Sequence, residues 1–184
     1  MKSIALLFTL MSSTVAYSAT TSQIVQAYLD QAEQQKLQHD ITWQRLMYAN
    51  EKGQSDVAYS GYFLAPEGQT QLKKELQANI QALFQPAEAN QSVRCRFPAR
   101  SHWLIQQLNI QQQDLPTVVC PELDDWIGQI KPYKATLIYA TDFMGNPSSM
   151  FGHTLLRLDP KDQKQLNLVS YAVNYAATVT DSEG

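Results

Sequence analysis

Ala135-Thr136-Leu137-Ile138-Tyr139-Ala140 is followed, across the loop Asn146-Pro147-Ser148-Ser149-Met150-Phe151-Gly152, by His153-Thr154-Leu155-Leu156-Arg157-Leu158. Both runs are rich in β-branched, aromatic and aliphatic residues, and turn-formers separate them. Their spacing predicts strands over about 135–143 and 153–159. A third strand, about 166–177, follows the Pro160-Lys161-Asp162 turn. Short connections make the three an antiparallel piece of sheet. Alternation puts His153, Leu155 and Arg157 on one face of the second strand and Thr154, Leu156 and Leu158 on the other. In the third, Ser170, Ala172 and Asn174 share a face opposite Tyr171, Val173 and Tyr175. His153 thus stands at a strand mouth, just after a Pro/Gly loop, where imidazole chemistry is readily presented to a ligand.

Upstream the period is helical. Ile24, Ala27, Tyr28 and Ala32 recur at helical spacing after Thr21-Ser22, and Asp40 is placed to cap a short helix that buries Trp43, Leu46 and Met47. From Gln69 to Gln85, Leu72, Leu76, Ile80, Leu83 and Phe84 form one apolar stripe. Lys73, Lys74, Gln77 and Gln81 face water, and Pro86 ends the helix. Tyr62-Phe63-Leu64-Ala65-Pro66-Glu67-Gly68 reads as a loop that turns its aromatics inward. Pro98 and Pro121 suit the first turns of two further helices, the first carrying Trp103, Gln107 and Ile110 along one side. Glu122, Asp124 and Asp125 crowd the start of the second, where the helix dipole favours acids. The fold class is α+β: a helical N-terminal half packed on an antiparallel sheet of about three strands. His39 and His102 lie among polar helical residues and read as surface histidines.

Residues 1–18 read as a signal peptide. Lys2 supplies the positive end, Ile4 to Leu10 the apolar stretch and Ala16-Tyr17-Ser18-Ala19 the small-residue cleavage region. The apolar stretch is far shorter than the roughly 20 residues a bilayer-spanning helix needs. With no cysteine before Cys95, there is nothing near the cleavage region to acylate. The mature chain is expected to start at Ala19, to be periplasmic, to lack a transmembrane segment and to form a single domain over 19–184. Once Lys2 is removed, 13 basic residues face 17 acidic ones, a balance that argues against nucleic acid or anionic lipid as partner. In an oxidising compartment the two cysteines have only each other to pair with, so a Cys95–Cys120 disulfide is expected and a metal site is not. A cation held by His153, Asp142 and Asp159 lacks a second histidine. Ser148 and Ser149 lack the Gly-x-Ser-x-Gly surroundings of a nucleophile elbow. No cofactor is called for.

Four motifs, Cys95-Arg-Phe-Pro-Ala-Arg100, Cys120-Pro-Glu-Leu with Trp126, Asn146-Pro-Ser-Ser-Met-Phe-Gly-His-Thr154 and Ser170-Tyr-Ala-Val-Asn-Tyr-Ala-Ala177, together resemble the Lnb N-terminal periplasmic domain family, from about Trp43 onward. The resemblance implies a relation to circularly permuted papain-like (NlpC/P60-related) hydrolases, in which His153 is the catalytic base. Family members carry an Asn-Cys-Ser segment further on, and residues 1–184 contain none. This stretch is therefore expected to be an incomplete papain-like domain, inactive by itself. An imidazole that activates a thiol needs a third group to fix its tautomer, and Asn174 or Ser170 is available for that. Two functions follow as expectations. One is a cysteine hydrolase acting on an amide or ester of the cell envelope. The other is a non-catalytic periplasmic module that binds or matures another exported protein.

Overall fold

The computed structural model describes residues 20–140, 153–161 and 171–174. The signal-peptide expectation lies outside the described residues, as do Ser148, Ser149, Asp142 and Ser170. The described chain is mixed helix and sheet, an α+β fold, and divides into two compact units. One comprises the chain up to Pro86 and Ser92–Thr117, the other Ala87–Gln91 and the chain from Val118 onward.

The first unit is helical. α1, Thr21–Gln34, opens with a capping box in which Thr20 accepts from the Gln23 amide while the Gln23 side chain accepts from the Thr20 amide. Asp40 caps α2, Ile41–Leu46, by accepting from the Thr42 amide at 2.7 Å. α3 is Leu72–Leu83, α4 the single turn Val93–Arg96, and α5 Pro98–Gln107 with Pro98 in its first turn. Their apolar faces close on Trp43, Met47, Leu76, Ile80, Leu83, Leu104 and Leu108, each at most 2% exposed. Trp43 stacks on Trp103 at 5.8 Å between ring centroids and donates its indole N–H to the Leu72 carbonyl. A buried indole needs such a partner.

Three details differ from the sequence reading. Ala27 of α1 is exposed, and Val25 and Leu29 turn toward the core instead, so the buried stripe is rotated slightly from the one first read. Leu46 is only half-buried. In α5, Gln107 is exposed; Leu104 and Leu108, at the i+4 spacing, carry the packing.

The second unit holds α6, Pro121–Ile130, and three strands: β1, Pro132–Ala140; β2, His153–Pro160; and β3, Tyr171–Asn174. They form an antiparallel sheet in the order β1-β2-β3. β1 begins three residues before the predicted start, with Pro132 opposite Pro160 and a register shift between Pro132 and Lys134. Pro at a strand's first residue removes no ladder hydrogen bond, which is why the strand extends to it. The remainder of the predicted first and third strands, 141–143, 166–170 and 175–177, lies outside the described residues. At the start of α6 the Glu122 amide donates to Asn90 Oδ1, and Asn90, at φ 65°, donates its own amide to the Val119 carbonyl. Asn tolerates this left-handed conformation better than most residues.

Cys95 and Cys120 form a disulfide, as expected from their number and compartment. Cys95 lies within α4, and Cys120 is the residue before Pro121.

Candidate functional site

The β1–β2 ladder pairs Ala140 with His153, Ile138 with Leu155 and Thr136 with Arg157, and the β2–β3 ladder pairs Leu155 with Asn174 and Arg157 with Ala172. Directly opposed residues share a face, as do residues two apart along a strand. Positions 153 and 174 therefore lie on one face of the sheet as diagonal neighbours, a relation that places their backbones roughly 7–8 Å apart.

The same face is polar toward the opposite end of β2. Asp159, 4% exposed, forms an ion pair with Arg157, whose Nε lies 2.8 Å away, and accepts hydrogen bonds from Arg157 Nη2 at 3.3 Å and from the Thr136 hydroxyl at 3.1 Å. A buried carboxylate needs such partners, because burying an unpaired charge costs several kcal/mol. These bonds hold Asp159 in a structural network with Arg157 and Thr136, which makes it a poor free donor for a metal. Among the described residues, no group of three or more His, Cys, Asp or Glu gathers as metal ligands do. The other face is apolar and open: Leu137 and Tyr139 of β1 are 72% and 63% exposed, with Leu156 of β2 beside Leu137.

The sequence reading placed all chemistry on the sheet and missed a buried polar cluster in the helical unit. Glu75 and Asn79 of α3 and Arg100 of α5 are at most 3% exposed. The Glu75 carboxylate accepts from the Leu64 and Ala65 amides at 2.9 Å and from Asn79 Nδ2 at 2.7 Å, and faces Arg100 Nη1 at 3.3 Å. Arg100 Nη1 also donates to the Tyr62 carbonyl at 2.8 Å. Its guanidinium lies 3.9 Å from the Tyr62 ring centroid and 4.2 Å from that of Phe97. A delocalised guanidinium flanked by two aromatic rings loses its water at lower cost than an ammonium would. Gly68 is required nearby, since a Cβ there would run into Glu75 Oε2. The signal was present in the sequence: positions 72, 75, 76, 79, 80 and 83 form one helical face, so Glu75 and Asn79 interrupt an apolar stripe.

Residues 122–184 match the Lnb N-terminal periplasmic domain family, and residues 35–107 match a domain of unknown function, DUF7843. No curated protein and no solved structure matches. The resemblance to the Lnb domain is thereby narrowed: its match begins at Glu122, and Cys95-Arg-Phe-Pro-Ala-Arg100 falls in the stretch similar to the second family. Each matched stretch lies within one of the two structural units, 35–107 apart from the few residues at 87–91. Among the described residues no helix is long and apolar enough to cross a membrane.

Proposed function

We propose that this protein is an exported, periplasmic cell-envelope domain whose sheet carries the base side of a hydrolytic site, with His153 as general base and Asn174 as the group that orients it. The substrate class is an amide or ester of the envelope, such as a peptidoglycan peptide bond or a lipid acyl ester. The observation that carries this reading is the strand register, in which positions 153 and 174 share one face as diagonal neighbours. An imidazole oriented by a carboxamide has the parts needed to hold one tautomer and to accept a proton from a nucleophile. Cys95 and Cys120 are bridged to each other, so the nucleophile is neither of them. Export is supported by the Lys2 to Ala19 leader pattern and by the similarity of residues 122–184 to a periplasmic domain family.

The test is hydrolysis of purified muropeptides and of phospholipid by a full-length form that carries the family's Asn-Cys-Ser segment, compared with its His153→Ala variant. A fall of about 100-fold or more, with the melting temperature within a few degrees, supports the base role. Retained hydrolysis overturns it.

One observation favours a non-catalytic module that binds or matures another exported protein. The open face carrying Leu137, Tyr139 and Leu156 is the kind of exposed apolar surface that interaction sites present. Absence of hydrolysis by the wild type, together with loss of partner recovery on Leu137→Asp, would establish this second reading.

A further inference from the structure

β1 lies at an edge of the sheet. Among the described residues it pairs with β2 alone, so alternate residues of the strand turn their N–H and C=O away from the sheet. Such an edge is a template for another strand, and proteins that avoid pairing blunt theirs with proline, lysine or a bulge. Here all three devices sit at one end. Pro132, the register shift and Lys134 occupy the start of β1. Ala135, Thr136, Leu137, Ile138 and Tyr139 then follow without a charge, a proline or a glycine. This run is accessible on both sides: Ala135, Leu137 and Tyr139 are exposed, and Thr136 and Ile138 are only half-buried.

The residues of the run decide which strand fits it. Laid antiparallel against a second copy of itself, a strand opposes residues that are equally spaced about the two-fold axis. An axis at Leu137 is the one that uses the whole regular stretch, 134–140. Ala135 then meets Tyr139 of the other copy, small against large, and Thr136 meets Ile138, a pair of β-branched residues of the kind strands favour. Symmetry makes each of these pairs twice. Leu137 meets itself, on the face it shares with Tyr139 and Leu156. Lys134, the one charged residue of the stretch, falls opposite position 140 and about 20 Å from its own counterpart, so like charges are kept apart.

We infer that β1 pairs antiparallel with β1 of a second copy about Leu137, joining two three-stranded sheets into one continuous sheet. The contact is a single ladder with a few side-chain pairs, much less than a standard interface, so the dimer is weak and concentration-dependent, with a Kd of about micromolar order. The inference does not depend on the hydrolytic reading, because positions 153 and 174, on β2 and β3, lie outside the contact.

The test is sedimentation equilibrium of the full chain over a range of concentrations. A reversible monomer–dimer equilibrium is expected. Leu137 is largely exposed, so charging it leaves the fold intact, yet on the axis each copy's charge would face its own like. Leu137→Lys and Leu137→Glu should therefore each weaken the dimer about tenfold or more with unchanged melting temperature, and an equimolar mixture of the two should dimerise again. Under mild oxidation Leu137→Cys should cross-link to itself, whereas Ala135→Cys and Tyr139→Cys should link only when mixed with each other. A monomer at every concentration, or growth past the dimer, overturns the proposal. So do unweakened dimers of Leu137→Lys, a mixture that stays monomeric, or self-linking of Ala135→Cys, since each would place the contact elsewhere or in another register.

Discussion

Glu75, Asn79 and Arg100 show how much a few buried groups weigh. Removing one partner of a buried ion pair leaves the other charge uncompensated, at a cost of about 3–5 kcal/mol. Arg100→Ala and Glu75→Ala should each lower unfolding stability by about that amount in urea titrations, and the double variant should lose clearly less than the sum. Additive losses would show that the two charges do not depend on each other. Tyr28 offers a pH-dependent counterpart. Its phenol is pushed above the ordinary value first by desolvation and also by the neighbouring Asp114 carboxylate, to which it donates a hydrogen bond at 3.1 Å. A raised pKa means that the folded state holds the proton more tightly. Its contribution is therefore fully present below pH 10 and is lost as pH climbs through the higher folded value. Wild type should lose more stability than Tyr28→Phe between pH 9 and 11, as measured by chemical denaturation at each pH; parallel curves would contradict this. These residues were the least legible in the sequence. Glu75 and Asn79 are ordinary helix-surface types, and their burial depends on an arginine 25 positions away in sequence and on the Leu64 and Ala65 amides of an irregular loop. The helical period puts both on the apolar face of α3, but no local pattern names those partners.

The elements themselves were largely legible, because their signals are local. Asp40, Pro98 and Pro121 each stand where the helix starts, and Leu72, Leu76, Ile80 and Leu83 face the core as their spacing requires. Asp40→Ala should cost about 1 kcal/mol through loss of its bond to the Thr42 amide, visible as a shifted denaturation midpoint with unchanged slope. The strands were harder to bound. Periodicity of two gives the faces of β2 directly, but the extension of β1 to Pro132 depends on pairing with Pro160 across the sheet. Strand pairing is non-local, so a strand's ends are set by its neighbour more than by its own residues. The apolar side of the sheet, with Leu137 and Tyr139 exposed, was likewise invisible to a pattern that reads apolar residues as buried.

At the scale of the molecule, the disulfide is the one covalent tie between distant parts of the chain. It closes a loop of about 26 residues, for which the loop-entropy relation gives about 3.5 kcal/mol. Cys95→Ser with Cys120→Ser should reduce stability by about that amount, and alkylation without reductant should label neither cysteine in the folded wild type. Whether the two compact units melt as the single domain read from the sequence is a matter of cooperativity. One calorimetric transition with matching van't Hoff enthalpy is the expected result, and two separable transitions would refute it. The hydrolytic site proposed on the sheet is tested most directly by a double-mutant cycle on hydrolysis by a full-length form that carries the Asn-Cys-Ser segment, using His153→Ala, Asn174→Ala and both together. If His153 is a base oriented by Asn174, each single variant should lose activity and the double variant should be no worse than His153→Ala alone, since an orienting group is without effect once the imidazole is gone. Independent, multiplicative losses, or full activity in His153→Ala, would contradict a shared site at these two positions.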